Sequence, residues 1–153
     1  MTDASDIERC YREQSGKLWR SLLLFGGNRE LASDAMAEAF AQALRRGDRI
    51  RELDRWVWRA AFNIARGELQ RRGRQGGLLP DLPVELPPQT VDLVRALRLL
   101  TPKQRGAVVL HHYAGYTNRE TAAILGSTTS AVGVHLERAR ARLRDELRED
   151  RHA

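Results

Sequence analysis

The stretch from residue 117 to residue 126 reads Thr-Asn-Arg-Glu-Thr-Ala-Ala-Ile-Leu-Gly and contains signals for both ends of a short helix. The Thr117 hydroxyl can accept a hydrogen bond from a free backbone N–H, and the Glu120 side chain can reach back to the backbone of Thr117. Gly126 suits the left-handed backbone conformation that commonly follows a helix. The spacing predicts a helix of about two turns.

Similar signals lie on both sides of this stretch. Thr101-Pro102-Lys103-Gln104 is another capping box with proline at the first helical position, so an earlier helix is expected to begin near residue 102. Ser127 and Thr128 offer a cap for a later, arginine-rich helix. The apolar face of that helix is expected to consist of Val132, Leu136, Ala139, Leu143 and Leu147. This order of helices is typical of a helix-turn-helix that reads duplex DNA.

Composition and charge narrow the classes of function. A chain of 153 residues with 42% apolar content has room for one ordinary domain or two small ones. Two of its 26 basic residues are lysine, which leaves 24 arginines, and the net charge is +6. Arginine binds phosphate through a rigid fork and stacks on bases, so an anionic partner is favoured. The alternative is that many of these arginines only solvate helix faces.

Targeting and catalytic signals are weak. The first eight residues are acidic, and the longest early apolar run, residues 22–25, is too short for a signal peptide, so we expect a cytoplasmic protein without membrane insertion. The single cysteine, Cys10, is expected to be a small core residue, and with the four histidines it gives no metal-ligand spacing. No cofactor is expected, and no nucleophile set or phosphate-binding loop indicates an enzyme.

Glycine and proline divide the chain near its middle. Residues 73–90 contain three glycines and four prolines, which break helices and sheet interiors. We therefore predict an all-α protein in which a Pro/Gly-rich linker (73–90) joins an N-terminal helical bundle (1–72) to a C-terminal helix-turn-helix (91–153). The apolar residues of the linker fit either a groove on a partner or a flexible spacer. They are Leu78, Leu79, Leu82, Val84 and Leu86.

The N-terminal module is expected to contain three helices. The first ends at Gly26-Gly27, and Asn28 can cap the second, which ends near Gly47. The third covers roughly residues 53–72. Its inner stripe is expected to consist of Trp56, Ala60 and Ile64, next to Val57 and Ala61.

The third helix also combines aromatic rings with arginines, a combination that suits single-stranded DNA. Rings and guanidinium groups stack on unpaired bases, and the amide of Asn63 offers a donor and an acceptor to a base edge. Trp58 and Phe62 fit this role and a core position equally well at this stage.

Both modules, in this order, resemble a bacterial RNA polymerase sigma factor of the extracytoplasmic function (ECF) group. Residues 31–40, Leu-Ala-Ser-Asp-Ala-Met-Ala-Glu-Ala-Phe, resemble the helix with which that family grips the polymerase clamp. Residues 56–65, Trp-Val-Trp-Arg-Ala-Ala-Phe-Asn-Ile-Ala, followed by Arg71-Arg72, resemble the segment that opens and reads the −10 promoter element.

The C-terminal module carries the second half of the resemblance. Residues 100–105 and 115–126 resemble the domain that reads the −35 element, and residues 131–132 with 136–143 resemble its recognition helix. The match covers nearly the whole chain. The chain departs from the family pattern at three sites. Ala37 stands where Gln or Asp is frequent, and Gly67-Glu68 replaces an acidic helix end. Residues 133–135, Gly-Val-His, replace a frequent Lys-Ser-Arg.

The resemblance implies a non-enzymatic factor that binds the beta-prime clamp and beta flap of bacterial core RNA polymerase and directs transcription initiation at promoter DNA. The residues it implies for core polymerase binding are Asp34, Glu38 and Phe40. Those for −10 DNA are Arg55, Arg59, Phe62, Asn63, Arg66, Arg71 and Arg72. Those for −35 DNA are Arg119, Ser130, Ala131, Val134, His135, Arg138 and Arg142. An anti-sigma factor is a further candidate partner, because members of this group are commonly sequestered.

Two other functions remain compatible with the residues. One is an autonomous helix-turn-helix regulator in which residues 1–72 sense a ligand or dimerise. The other is a degenerate sigma-like protein that binds polymerase without reading DNA, which the loss of two cations at residues 133–135 favours.

Overall fold

The computed structural model describes residues 3–47, 50–73 and 87–152, apart from the side chains of residue 147 and residues 149–152. Within these ranges it contains α-helices, a π-helical segment and no strand. The chain divides into an N-terminal unit, Met1–Asp81, and a C-terminal unit, Leu82–Ala153. The predicted all-α fold with two helical units is confirmed. The helices are α1 (Ala4–Gly26), α2 (Arg29–Arg46), α3 (Leu53–Gly73), α4 (Pro88–Leu97), α5 (Pro102–Val108), α6 (Asn118–Leu125) and α7 (Thr129–His152).

The N-terminal unit is a bundle of α1, α2 and α3, and the turn between α1 and α2 depends on two glycines. A Cβ on Gly26 would lie 2.6 Å from Cδ2 of Leu31, so only glycine fits this close approach. Gly27 has a φ of 69°, in the left-handed region that favours glycine. Asn28 then caps α2 by accepting a hydrogen bond from the Leu31 N–H at 2.9 Å. The predicted helix boundary and cap are confirmed.

Aromatic rings fill the centre of this bundle. Trp58 and Phe62, one turn apart on α3, are 0% and 2% exposed. Their rings stack with centroids 6.1 Å apart, and Phe62 also meets Phe25 of α1 at 5.1 Å. The Trp58 Nε1–H donates to Gln14 Oε1 at 3.0 Å, so the polar end of the indole is satisfied inside the bundle.

The predicted inner stripe of α3 was wrong in phase. Trp56, Ala60 and Ile64 are only half-buried. Val57 and Ala61, which were expected beside the stripe, are buried, together with Trp58, Phe62 and Ala65. This rotation of the helix buries two large aromatic side chains rather than one, and aromatic side chains remove the most apolar area from water. Trp56 lies toward the edge of the bundle, where the Arg46 guanidinium stands 5.7 Å from its ring.

The C-terminal unit begins and ends its helices at the predicted caps. Thr101 with Gln104, and Thr117 with Glu120, form complete capping boxes at α5 and α6. Gly126 ends α6 in the left-handed conformation with φ 66°. The Thr128 hydroxyl accepts from the Ala131 N–H at 3.1 Å at the start of α7. A core of Ala107, Ala122, Val132 and Leu136 joins α5, α6 and α7.

Two features of this unit differ from the prediction. Helix α4 starts at Pro88, inside the predicted linker, because proline is suited to the first turn of a helix. A π-helical segment, Val109–Tyr113, continues α5, and the His111 Nδ1 lies 2.7 Å from the Tyr116 carbonyl oxygen beyond it. The apolar linker residues 78–86 lie outside the described residues, so the predicted domain boundaries stay predictions.

The indole hydrogen bond gives a test of this packing. We expect Trp58→Phe to lower the free energy of unfolding of the N-terminal unit by about 1–3 kcal/mol, because it leaves Gln14 Oε1 unsatisfied in a part-buried site. The control Trp56→Phe should cost less than about 1 kcal/mol, since Trp56 lies at the edge and loses little beyond its contact with Arg46. Urea unfolding followed by circular dichroism measures both. Equal losses would contradict the burial pattern.

Candidate nucleic-acid interface

The acidic pair on α2 is exposed. Asp34 and Glu38 lie one turn apart on the same helix face. Glu38 Oε1 accepts hydrogen bonds from Arg45 at 2.8 Å and from Gln42 at 3.3 Å. These two donors hold the pKa of Glu38 below its usual value, so the carboxylate is ionised at neutral pH. The face can attract a cationic surface, in competition with Arg45.

Phe40, which was predicted to contact core polymerase, lies mostly inside the bundle. It is 7% exposed and packs edge-on against Tyr11 of α1, with ring centroids 5.1 Å apart. The ring therefore helps to join α1 to α2, and direct contact with a partner is not available to most of it. Tyr11 is 51% exposed and Leu44, one turn beyond Phe40, is 59% exposed. These exposed apolar side chains lie on the Phe40 side of α2, away from the acidic pair.

The exposed side of α3 carries the polar residues predicted to meet DNA. Arg59 and Asn63, one turn apart, are both exposed. The Arg66 NH2 group donates to Asn63 Oδ1 at 2.8 Å. Arg55 pairs with Glu52 at 3.2 Å. The structure thus brings Arg59, Asn63 and Arg66 together, and it leaves the amide N–H groups of Asn63 on the solvent side of that hydrogen bond.

The prediction that Phe62 stacks on a base is wrong for this structure. The ring is 2% exposed and lies between Phe25 and Trp58, so no face is free for a base. Trp58, which fitted either role, is a core residue for the same reason. Burial of a large aromatic side chain contributes about 1.5–3 kcal/mol, which exposing the ring to a base would sacrifice.

Arg71 and Arg72 lie apart from Arg59 and Asn63, in a groove of about 610 Å³ between α2 and α3. Asp34, Glu38 and Glu68 also line this groove. Glu68 pairs with both arginines: its Oε1 accepts from the Arg72 Nε at 2.8 Å, its Oε2 accepts from the Arg71 Nε at 3.1 Å, and Oε1 also meets the Arg71 NH2 group.

The two arginines lower the pKa of Glu68 to about 2, first through hydrogen bonds from Arg71 and Arg72. Glu68 was not predicted as a site residue. Its spacing of three and four positions from Arg71 and Arg72 is the standard one for helical ion pairs, and this signal could have found it.

Not all of the arginines are available to a nucleic acid. Arg105 is 6% exposed and its NH1 group donates to the Leu100 carbonyl oxygen at 3.0 Å. Burial lowers the pKa of Arg105 to about 10, and burial together with the nearby Arg105 lowers the pKa of Arg98 to about 9. The Arg105 guanidinium thus supports the turn between α4 and α5, and Arg98 beside it is half-buried. The net charge of the chain therefore overstates the cations that can reach phosphate.

The first two turns of α7 form the predicted reading surface. Ser130, Val134 and Arg138 are exposed at spacings of four, and Val134 is 46% exposed. Ala131 and His135, beside them, are half-buried. Arg119 of α6 is exposed. Arg142 pairs with Glu146 at 3.2 Å, one turn further along α7. The outward face of α7 is thus short and mostly uncharged before Arg138.

Gly133 lies on this surface without a packing requirement. No atom other than its own helix backbone and chain neighbours lies within 4 Å of the position that a Cβ would occupy. The interior of the unit therefore does not explain why a glycine stands here.

Comparison with known proteins decides the family. The chain is 32% identical over 162 residues to the RNA polymerase sigma-E factor of Streptomyces coelicolor, which covers 96% of this chain and 89% of that protein. The chain belongs to the ECF sigma factors. It is also 30% identical over 156 residues to the ECF RNA polymerase sigma factor SigE of Mycolicibacterium smegmatis, covering 92% of this chain and 61% of that protein. The sigma factor thus acts in transcription initiation and belongs to a regulatory, non-enzymatic class.

The family model for Sigma-70, region 4, matches residues 90–143 of the sigma factor. This range includes α5, α6 and the first turns of α7, the helices that carry the predicted helix-turn-helix. The resemblance of the C-terminal module to the −35-reading domain is therefore confirmed at the level of the family.

Two solved structures support the fold of the sigma factor. One is the sigma factor RpoE from Bartonella quintana in complex with the anti-sigma factor NepR, with a TM-score of 0.80 and 21% identity over 95% of this chain and 98% of that chain. The other is CnrH in complex with the cytosolic domain of CnrY, with a TM-score of 0.76 and 22% identity over 97% and 91% of the two chains. None of the helices that the structure describes is long and apolar enough to cross a membrane.

His135 makes the α7 surface sensitive to pH. Burial, Lys103 of α5 and Arg138 of α7 all lower the pKa of His135 below its usual value, so the imidazole is neutral at pH 7. Because the pKa of His135 is lowered, the imidazole gains its proton only as the pH falls below the usual value of about 6.5, and a phosphate nearby favours the charged form. We expect the affinity of the sigma factor for a labelled DNA duplex to rise as the pH falls from about 7 to about 5.

Fluorescence anisotropy at a series of pH values measures this effect. His135→Gln should flatten the pH dependence. His112→Gln is a matched control, because burial lowers the pKa of His112 as well. Since His112 lies on the π-helical segment and not on α7, this variant should keep the pH dependence. A pH dependence that survives in His135→Gln would remove His135 from the DNA-facing surface.

Proposed function

We propose that this sigma factor binds bacterial core RNA polymerase and directs initiation at promoters by reading −35 duplex with its C-terminal unit and capturing the −10 strand with its N-terminal unit. The observation that carries the proposal is the division of α3 into two faces. Trp58 and Phe62 are buried, whereas Arg59 and Asn63 are exposed on the other side, with the half-buried Arg66 beside them. A basic, amide-bearing face on a rigid bundle is chemically suited to a single strand.

Polymerase docking is assigned to Asp34 and Glu38. Both carboxylates are exposed on one face of α2, which matches the helix that grips the beta-prime clamp in this family. Ala37 and Ala41 line the groove beside these carboxylates and can add apolar area to the contact. Exposed charges mainly guide encounter and set specificity, whereas buried apolar area supplies affinity.

Capture of the −10 strand is assigned to Asn63 with Arg55, Arg59 and Arg66. Asn63 can donate its amide N–H groups to a base edge while its Oδ1 keeps the hydrogen bond from Arg66, which holds the amide in place. Flipping a base out of a duplex costs a few kcal/mol, and binding the unstacked bases can offset this cost. Strand opening is then driven by binding energy, without ATP. Arg71 and Arg72 are assigned to phosphates of the same strand.

Reading of the −35 element is assigned to α7 in the major groove. Ser130 offers a hydroxyl to a base edge, and Ala131 and Val134 offer apolar contact to a thymine methyl group. His135 lies beside them, and Arg119, Arg138 and Arg142 are assigned to phosphates. Since Gly133 and Val134 carry no charge, we expect base preference here to rest on shape and apolar contact more than on arginine forks.

Two further partners complete the proposal. The C-terminal unit is expected to contact the beta flap, as the family resemblance implies. An anti-sigma factor is expected to restrain the chain, because one similar solved structure is a sigma factor bound to an anti-sigma factor, and the other, CnrH, is bound to the cytosolic domain of a second protein.

Charge reversal tests the docking assignment. We expect Asp34→Arg combined with Glu38→Arg to abolish co-purification with core polymerase, since two attractive carboxylates become repulsive to a basic clamp surface. The matched control, Glu8→Arg with Glu13→Arg, makes the same change in net charge on the exposed face of α1 and should still co-purify. Circular dichroism checks that both variants keep their helix content. Retention of the Asp34/Glu38 variant on core polymerase would refute the assignment.

Template opening tests the role of Asn63. With holoenzyme and a cognate promoter, we expect Asn63→Ala to slow transcription from a closed duplex by about tenfold or more, which corresponds to loss of one base contact of ~1.4 kcal/mol. On a template already unpaired at the −10 element the loss should be much smaller. Gln70→Ala, an exposed amide on the same helix, serves as the control. An equal loss on both templates would contradict a role in opening.

A further inference from the structure

A single carboxylate, Glu68, holds two arginines of the N-terminal unit at once. It receives Nε of Arg72 on one oxygen, and the Nε and NH2 edge of Arg71 spans both oxygens. The Glu68 side chain is 27% exposed and that of Arg72 is 22% exposed, so this ion pair is partly shielded from water. Arg71 is 54% exposed, so its pair is more open to solvent.

Glu68 competes with phosphate for these two arginines. A guanidinium group binds carboxylate and phosphate through the same kind of paired, parallel N–H bonds. In Arg71 the Nε and NH2 edge is given to Glu68, and in Arg72 the Nε–H is given to it. A nucleic-acid phosphate must displace Glu68 to use these edges, and at the other edges it meets the negative charge of the nearby carboxylate.

We propose that Glu68 is a positioning residue that masks Arg71 and Arg72 from nucleic acid in the free sigma factor. The inference rests on the proposed function, in which these arginines meet the −10 strand. The mask acts at every physiological pH, because the carboxylate stays ionised far below neutrality. It weakens the attraction of the free chain for nonspecific single strands.

Removing the carboxylate tests the mask directly. The free full-length chain is titrated against a fluorescein-labelled oligothymidylate at several salt concentrations, with anisotropy as the readout. We expect Glu68→Gln to bind about 3- to 10-fold more tightly, the range that two weak surface ion pairs allow. Its salt dependence should steepen by up to ~1.4 in log–log slope, since each phosphate newly bound on a single strand adds about 0.7.

Two matched variants separate the mask from net charge. Glu8→Gln makes the same change in net charge on α1, and it should tighten binding less than twofold and leave the slope almost unchanged. Glu68→Asp keeps the net charge but shortens the side chain, so it cannot span both guanidinium groups as Glu68 does. It should bind more tightly than wild type, and it keeps the test valid if Glu68→Gln folds poorly. If Glu68→Gln behaves like Glu8→Gln and Glu68→Asp like wild type, the mask is overturned.

A triple variant distinguishes failure of the mask from failure of the proposed function. It combines Glu68→Gln with Arg71→Gln and Arg72→Gln, and the loss of the two arginines should cancel the gain in affinity. If binding instead stays tight in that triple variant, the arginines do not meet nucleic acid and their −10 assignment fails. If the arginine changes weaken binding but Glu68→Gln does not tighten it, the assignment stands and the mask alone is refuted.

Discussion

Burial of Trp58 and Phe62 determines the rotation of α3, and the surface of the N-terminal unit depends on that rotation. With the two rings and Phe25 packed in the centre of the bundle, Arg59 and Asn63 are placed on the opposite side of the helix. A helix turns by about 100° per residue, so a rotation by one position would exchange aromatic and polar residues at the surface. The hydrogen bond from Trp58 to Gln14 adds a directional constraint that apolar packing lacks.

The C-terminal unit depends more on local signals at helix ends. Helices α5 and α6 have seven and eight residues, well below the length at which isolated helices are stable in water. Complete capping boxes at both N-termini satisfy free N–H groups, and the small core around Val132 and Leu136 holds the helices together. The same caps set where α7 begins. Ser130 and Val134, in its first two turns, are exposed as a result.

The sequence was most informative where a single residue type has one strong physical preference. Gly27 and Gly126 adopt the left-handed conformation, and Thr101, Thr117 and Asn28 cap the helices they were expected to cap. It was least informative where competing packings differ only in volume. The stripe with Trp56 and the stripe with Trp58 both have helical spacing, and periodicity could not rank them. Helix α4 was hidden because Pro88 stops a helix when it lies inside one and suits a helix when it lies at its start.

The candidate site likewise contains features that the sequence predicted and features that it did not. The exposure of Asp34, Glu38, Asn63 and Ser130 follows from helical periodicity, and the family resemblance supplied their proposed roles. The ion pairs around Glu68 and the burial of Arg105 depend on side-chain geometry that no motif records. The high arginine content predicted an anionic partner, which agrees with membership of the sigma factors. Some of those arginines, such as Arg105, instead stabilise the fold.

We propose that the two helical units act together, within polymerase, to choose where transcription starts. This is tested by reconstituting the chain with bacterial core polymerase on genomic DNA from its own source and sequencing the 5′ ends of the transcripts. We expect new start sites that share one −35 and one −10 sequence and are absent with core enzyme alone. If no new start sites form, or if the chain binds dyad-symmetric duplex sites without polymerase, the proposal is refuted.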